Sequence, residues 1–366
     1  MGFNVNKEGL LVNRALREVV CFDKVLRYDW VHSALQDGML TCEIWLFVEK
    51  CESLELLSFA DLEQYLKQGW QYPKHFREKS GQLHRIFSTW REKADHDNDK
   101  LKCSASEALG LYSLLRHFVE VRVGHREELV TERRSFDAAC AIIDLILDCK
   151  RGHAAPADTV PLLRDAQARF MQAHVEAYGT THVRPKHHWL GDIADQIEED
   201  CRVLDQLVIE RIHLRCKAAV ENVDNTTQFE RSALAAALIL QQHALQAGVR
   251  GDQLVGAQQA WPGRPDVVVA DRLDYGGLVV TLDDFVLWNL SGSLADQIVG
   301  KVSACLRERG GHLYVLLKPM DRVRDISRTS SVWRFAPGPE VIARAERLEG
   351  ARAWYWTGDE LTLLYC

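Results

Sequence analysis

Apolar residues follow two periods along this chain. Up to about residue 247 they recur every three to four positions, as on an amphipathic helix; beyond about residue 266 they alternate, as on a half-buried strand. Residues 24–28 (KVLRY) read as a short strand, and Val31, Leu35, Met39, Cys42, Trp45 and Leu46 then predict a helix reaching about Cys51. Asp29 falls at this strand-to-helix junction, where a carboxylate serves either as an N-cap or as a functional group. Ser58 caps a helix that closes near Gly69, and further helices are expected over 81–93, 104–123 and 127–149. Residues 95–99 (DHDND) read as a solvated connector, because they lack the glycine and distal Glu of a calcium loop. Residues 156–159 break the pattern before an amphipathic helix over 162–178, with Gly179 as its C-cap.

The stretch 184–232 organises the helical half. Pro185 starts a helix carrying Trp189, Ile193 and Ile197 on one face. A second helix is expected from Leu204, with an apolar stripe of Leu204, Val208, Ile212, Cys216, Ala219 and Val223. Glu210 lies on its opposite, polar face with His213, Lys217 and Glu221, so it is either a cleft carboxylate or a solvated charge. Thr227 and Glu230 form a capping box for the next helix. His187 and His188 are adjacent and point about 100° apart on a helix, so they cannot chelate one ion together. One is expected buried and hydrogen-bonded, the other solvated.

Residues 249–268 read as a Gly-, Gln- and Pro-containing linker. Beyond them strands are expected over 267–269, 277–282, 285–290, 298–307, 312–318, 331–335, 353–357 and 361–365, with a hairpin turn at Arg309-Gly310-Gly311. Short strands at this spacing suggest a small barrel or sandwich. Trp288, Trp333, Trp354 and Trp356 read as its core.

Composition narrows the function classes. A net charge of −7 excludes a globally basic nucleic-acid coat, so any DNA contact must come from a local patch. No run of 18 apolar residues predicts a membrane span, and the first residues lack a signal-peptide pattern. The ten cysteines contain no CxxC pair, which predicts buried thiols of an intracellular, reducing compartment rather than a zinc site. There is no GxSxG, so a serine hydrolase is disfavoured.

Two segments carry a family resemblance. YDWVHSALQDGML (28–40) is similar to the Asp-x-Met-His segment of En/Spm (CACTA) type DNA transposases, with Val31 in place of the usual Met. RPKHHWLGDIADQIEED followed by LDQLVIERIHLRCK resembles their later Pro-Lys-x-His and aromatic-x-Glu-Arg segments. The resemblance covers roughly residues 20–240. It implies an RNase H-like fold with a DDE carboxylate triad holding two divalent ions, Mg2+ or Mn2+. Asp29 would be the second Asp and Glu210 the helical Glu, both metal ligands, with His32 and Arg211 in support. The first Asp has no counterpart. Residues 1–28 are too few for the opening strands, and Asp23, six residues along a strand, would lie roughly 20 Å away. The implied protein is a truncated or decayed transposase, or one reused for another purpose, catalytically inactive.

The expected architecture is therefore mainly α with a partial RNase H-like α/β remnant and a small all-β C-terminal domain. Its divisions are a partial RNase H-like segment (1–52), a helical insertion (53–182), a helical return bearing Glu210 (183–248), the linker (249–268) and the β-rich module (269–366). Arg184, Lys186, Arg211, Arg215 and Lys217 form a local basic cluster, either a solvated helix face or a DNA contact. A transposase-like role would place the protein in the nucleus. The alternative is a non-enzymatic helical scaffold whose β module binds a protein partner.

Overall fold

A computed structural model describes residues 27–74, 82–88, 100–204, 252–276, 278–289 and 297–365, with a few positions between 232 and 242. Its helical part is built from α1 (Met39–Ser53), α2 (Phe59–Lys67), α3 (Ala105–Phe118), α4 (Val130–Arg151), α5 (Pro156–Tyr178) and α6 (Pro185–Asp200). A π-helical turn, Val31–Leu35, leads into α1. The chain turns between them at Gly38, whose backbone passes so near the preceding turn that a Cβ there would sit 2.3 Å from the Ser33 carbonyl oxygen.

Local chemistry sets the helix ends. Ser58 and Ser104 accept from the amides of Asp61 and Glu107, whose carboxylates return the bond to the cap. Gly152, in the left-handed region, ends α4. The 156–159 stretch does not precede α5 but forms its first turn. Pro156 occupies the first helical position, where no N–H is needed, and the helix runs on through Pro161. Pro185 starts α6 in the same way.

Helix α1 is buried almost all round, from Met39 to Val48, as a helix hydrophobic on every side must be. It packs against α4, which pairs in turn with α5, and α5 with α6. The expected strand at 24–28 is not seen in its described part: Arg27 and Tyr28 have no regular structure. The Tyr28 backbone is satisfied by a side chain instead of a neighbouring strand. Its N–H donates to Gln196 Oε1 at 2.6 Å, and its carbonyl accepts from Gln196 Nε2 at 3.1 Å. Among the described residues no strand precedes Gln253, apart from a single bridge at Gln71. The α/β remnant therefore has no sheet among them.

The C-terminal part is all-β. Strands β1 (Gln253–Val255), β4 (Arg272–Tyr275) and β5 (Leu278–Thr281) form a small antiparallel sheet. The large sheet runs β11 (Leu348–Gly350), β6 (Phe285–Asn289), β7 (Gln297–Glu308), β8 (Leu313–Ser327), β9 (Ser330–Phe335), β13 (Glu360–Leu364), β12 (Ala353–Thr357). Strand β3 (Arg264–Ala270) adds to β7, β2 (Gln259–Trp261) to β3, and β10 (Val341–Arg344) to β8. Three of these strands lie wholly or partly in the span read as a linker. Their Gly, Gln and Pro content concealed them, since Pro265 sits exposed at the start of β3 beside a bulge, a place where proline is tolerated.

Strand β6 is buried on both faces, so it is a continuous apolar run rather than an alternating one. Val286 points into one core with Leu254, Leu273 and Val280 of the small sheet, while Phe285 and Leu287 point into a second core with Trp333, Trp354 and Leu363. Trp333 and Trp354 are buried as expected, but Trp356 is exposed. The module docks on the helices: Ala353 and Leu364 belong to the helical core. Gln71 and Trp354 exchange backbone hydrogen bonds of 2.7 and 2.9 Å, and the Trp354 indole donates to Gln71 Oε1 at 3.0 Å.

Candidate functional site

Asp29 is buried at the start of the Val31–Leu35 turn, and its side chain caps it. Oδ1 accepts from the Val31 amide and Oδ2 from the His32 amide, each at 3.3 Å, and His32 Nδ1 also lies against Oδ2. Val31, Ser33 and Leu35 are buried behind it, so the buried Val31 amide depends on Asp29 for its acceptor, while the His32 amide lies nearer the surface. Both Asp29 oxygens thus already accept hydrogen bonds. By itself that carboxylate does not fit Mg2+ or Mn2+, which take several oxygen ligands.

The stretches 28–40 and 184–200 meet in space. Tyr28 stacks on Trp189 of α6 with ring centroids 5.3 Å apart, Gln196 clasps the Tyr28 backbone, and Arg27 bonds to Glu199 and Asp200. Lys186 donates to the Gln36 carbonyl at 2.8 Å. Burial lowers its pKa; Asp37 and Asp29 oppose that shift and Lys100 adds to it. Asp29, His32 and Lys186 therefore share one neighbourhood, with Arg184 at the N-cap of α6. Glu210, Arg211, Arg215 and Lys217 lie outside the described residues. The histidine pair divides as expected. His187 is buried and its Nδ1 accepts from the Arg184 amide at 3.4 Å, while His188 is exposed.

A second constellation was not foreseen. Glu43, fully buried in the apolar run of α1, must be compensated or its charge would be prohibitively costly. Its Oε2 accepts from Ser135 Oγ of α4 and His174 Nδ1 of α5, both at 2.9 Å, and its Oε1 from Tyr178 at 3.1 Å. His174 is also fully buried, and its Nε2 lies 3.4 Å from the His182 carbonyl. The His187 ring stands edge-on to His174, 4.9 Å between centroids, and its Nε2 has no hydrogen-bond partner. Cys42, the neighbour of Glu43, completes the group: ligand atoms of Cys42, His174 and His187 all lie within 4.8 Å of one another. Burial, then the proximity of His174 and Arg184, pushes His187 down to about 3, so its imidazole is neutral at pH 7.

Cys42, His174 and His187 come from three helices, and no local spacing links them. The legible signal was Glu43 inside LTCEIWLF, a carboxylate where the helical period demands an apolar residue. Compared with protein-family models, curated proteins and solved structures, the chain finds no match. Among the described residues no helix is long and apolar enough to cross a membrane.

Proposed function

We propose that this chain is a transposase-derived protein, of the CACTA type by motif, that no longer catalyses DNA cleavage and acts by binding. The contact between residues 28–40 and 184–200 carries the reading: the two resembling segments are clasped together through Tyr28, Trp189, Gln196 and Lys186. The use of Asp29 as a helix cap favours loss of catalysis, since both oxygens serve the backbone and His32. A nuclear site of action and a DNA contact through the 184–217 basic residues belong to the same proposal.

Two assays test it. Supercoiled plasmid with Mg2+ or Mn2+ should show no nicking above the metal-free background for wild type, Asp29→Asn or Glu210→Gln. Wild-type nicking that both substitutions abolish would restore the DDE reading, with Glu210 as the partner of Asp29. In a fluorescence titration, duplex DNA should bind at low salt and lose affinity steeply as salt rises. No binding at low salt removes the nucleic-acid branch.

A protein-binding scaffold is the second reading, favoured by an aromatic ledge on the β module. Trp356, exposed at the surface, stacks on Phe335 at 5.7 Å, and the Lys318 ammonium lies 4.5 Å from the Phe335 ring. Such a ledge is suited to aromatic or proline-containing peptides.

A further inference from the structure

We propose that Cys42, His174 and His187 form a buried structural zinc site that ties α1, α5 and α6 together. The inference is independent of any transposase ancestry, because it uses none of the residues of the resemblance except His187, and that one only for its position.

The donor chemistry selects the metal. One thiolate and two imidazoles suit Zn2+ far better than Mg2+ or Ca2+, which demand oxygen. In a tetrahedral zinc site neighbouring ligand atoms stand about 3.3–3.6 Å apart, as metal bonds of about 2.0–2.3 Å require. A triad whose donors all fall within 4.8 Å reaches that geometry by small side-chain rotations. The His182 carbonyl, 3.4 Å from His174 Nε2, is long for a hydrogen bond but matches one edge of such a tetrahedron.

The surroundings are arranged as a metal site requires. His174 gives its Nδ1–H to Glu43, which leaves Nε2 to face the ion, and Glu43 is itself held by Ser135 and Tyr178. A carboxylate behind a ligating histidine fixes its tautomer and raises its basicity. His187 has Nδ1 occupied by the Arg184 amide and leaves a buried Nε2 without a partner. Without the ion, the buried His187 Nε2 stays unsatisfied.

The test is metal content and spectroscopy on the full chain. After exhaustive dialysis, plasma mass spectrometry should find close to one zinc per chain in wild type and in Cys51→Ser, which alters a buried thiol of α1 outside the cluster. Cys42→Ser and His187→Gln should retain less than about a tenth of that zinc, a loss at least as large as removing a hydrogen-bond partner of a ligand gives. Cobalt-substituted wild type should show a thiolate-to-cobalt charge-transfer band that disappears in Cys42→Ser. If that variant does not fold, wild type decides alone: chelation should lower its thermal midpoint and zinc restore it. Wild type with neither zinc nor a cobalt–thiolate band overturns the proposal, as does zinc retained equally in the two ligand variants.

Discussion

Replacing Asp29 separates its two readings without any assay of DNA chemistry. In Asp29→Ala the buried Val31 amide loses its acceptor and the His32 amide becomes solvent-dependent. An orphaned buried N–H costs about 1–2 kcal/mol, and losing an N-cap costs about 1. The contact to half-exposed His32 adds only about 0.5 kcal/mol, at the low end for a hydrogen bond near the surface. These overlap, because the cap bond and the orphaned amide are one event, so the expected total is about 2 kcal/mol. Asp29→Asn keeps an amide oxygen for the cap and should cost about 0.5 kcal/mol. Urea denaturation followed by circular dichroism would read both as shifts of midpoint at constant slope. An alanine variant as stable as wild type, or an asparagine variant as damaged as the alanine one, would refute the capping account. A carboxylate kept for metal binding would instead be a stability cost, relieved by Asn.

Other outcomes follow from the same geometry. Gly38→Ala forces a Cβ to 2.3 Å from the Ser33 carbonyl oxygen, a backbone atom that cannot rotate away, and should cost about 3 kcal/mol in the same denaturation assay. Gln71→Ala leaves the buried Trp354 indole N–H without its acceptor and should cost about 1–2 kcal/mol, with faster hydrogen exchange of that indole as the specific readout. His153, held by the carboxylates of Asp148 and Glu349 (the latter 2.7 Å away), has its pKa raised from 6.5 to about 9. Since the folded value is the higher one, its contribution is full below about pH 6.5 and is lost as pH rises through about 9. After allowance for solvent screening that contribution is about 1 kcal/mol, and His153→Gln should flatten stability across this window.

Much of the helical part could be read from local order. The caps at Ser58 and Ser104, the proline start at Pro185 and the glycine stop at Gly179 depend on a few neighbouring residues, so sequence alone determined them. The change of period near residue 266 likewise announced an all-β part. Pro156 was misjudged as a breaker because a proline's meaning depends on whether it is first in a helix or inside one. The strands at 253–255 and 259–261 were missed because short edge strands bury too little to show a period.

The candidate sites divide along the same line. The histidine pair could be resolved from helix geometry, since adjacent side chains on a helix must diverge. Asp29 could be placed at a helix start, but whether its oxygens were spent on the cap depended on the depth to which Val31 and Leu35 are buried. Cys42, His174 and His187 share no spacing, and the cysteine pattern argued against zinc. Only the stacking of α1, α5 and α6 brings a thiol and two imidazoles together around the Glu43 carboxylate. Backbone periodicity is encoded within a turn or two of the chain, whereas the convergence of donors from separate helices is set by how their buried faces pack.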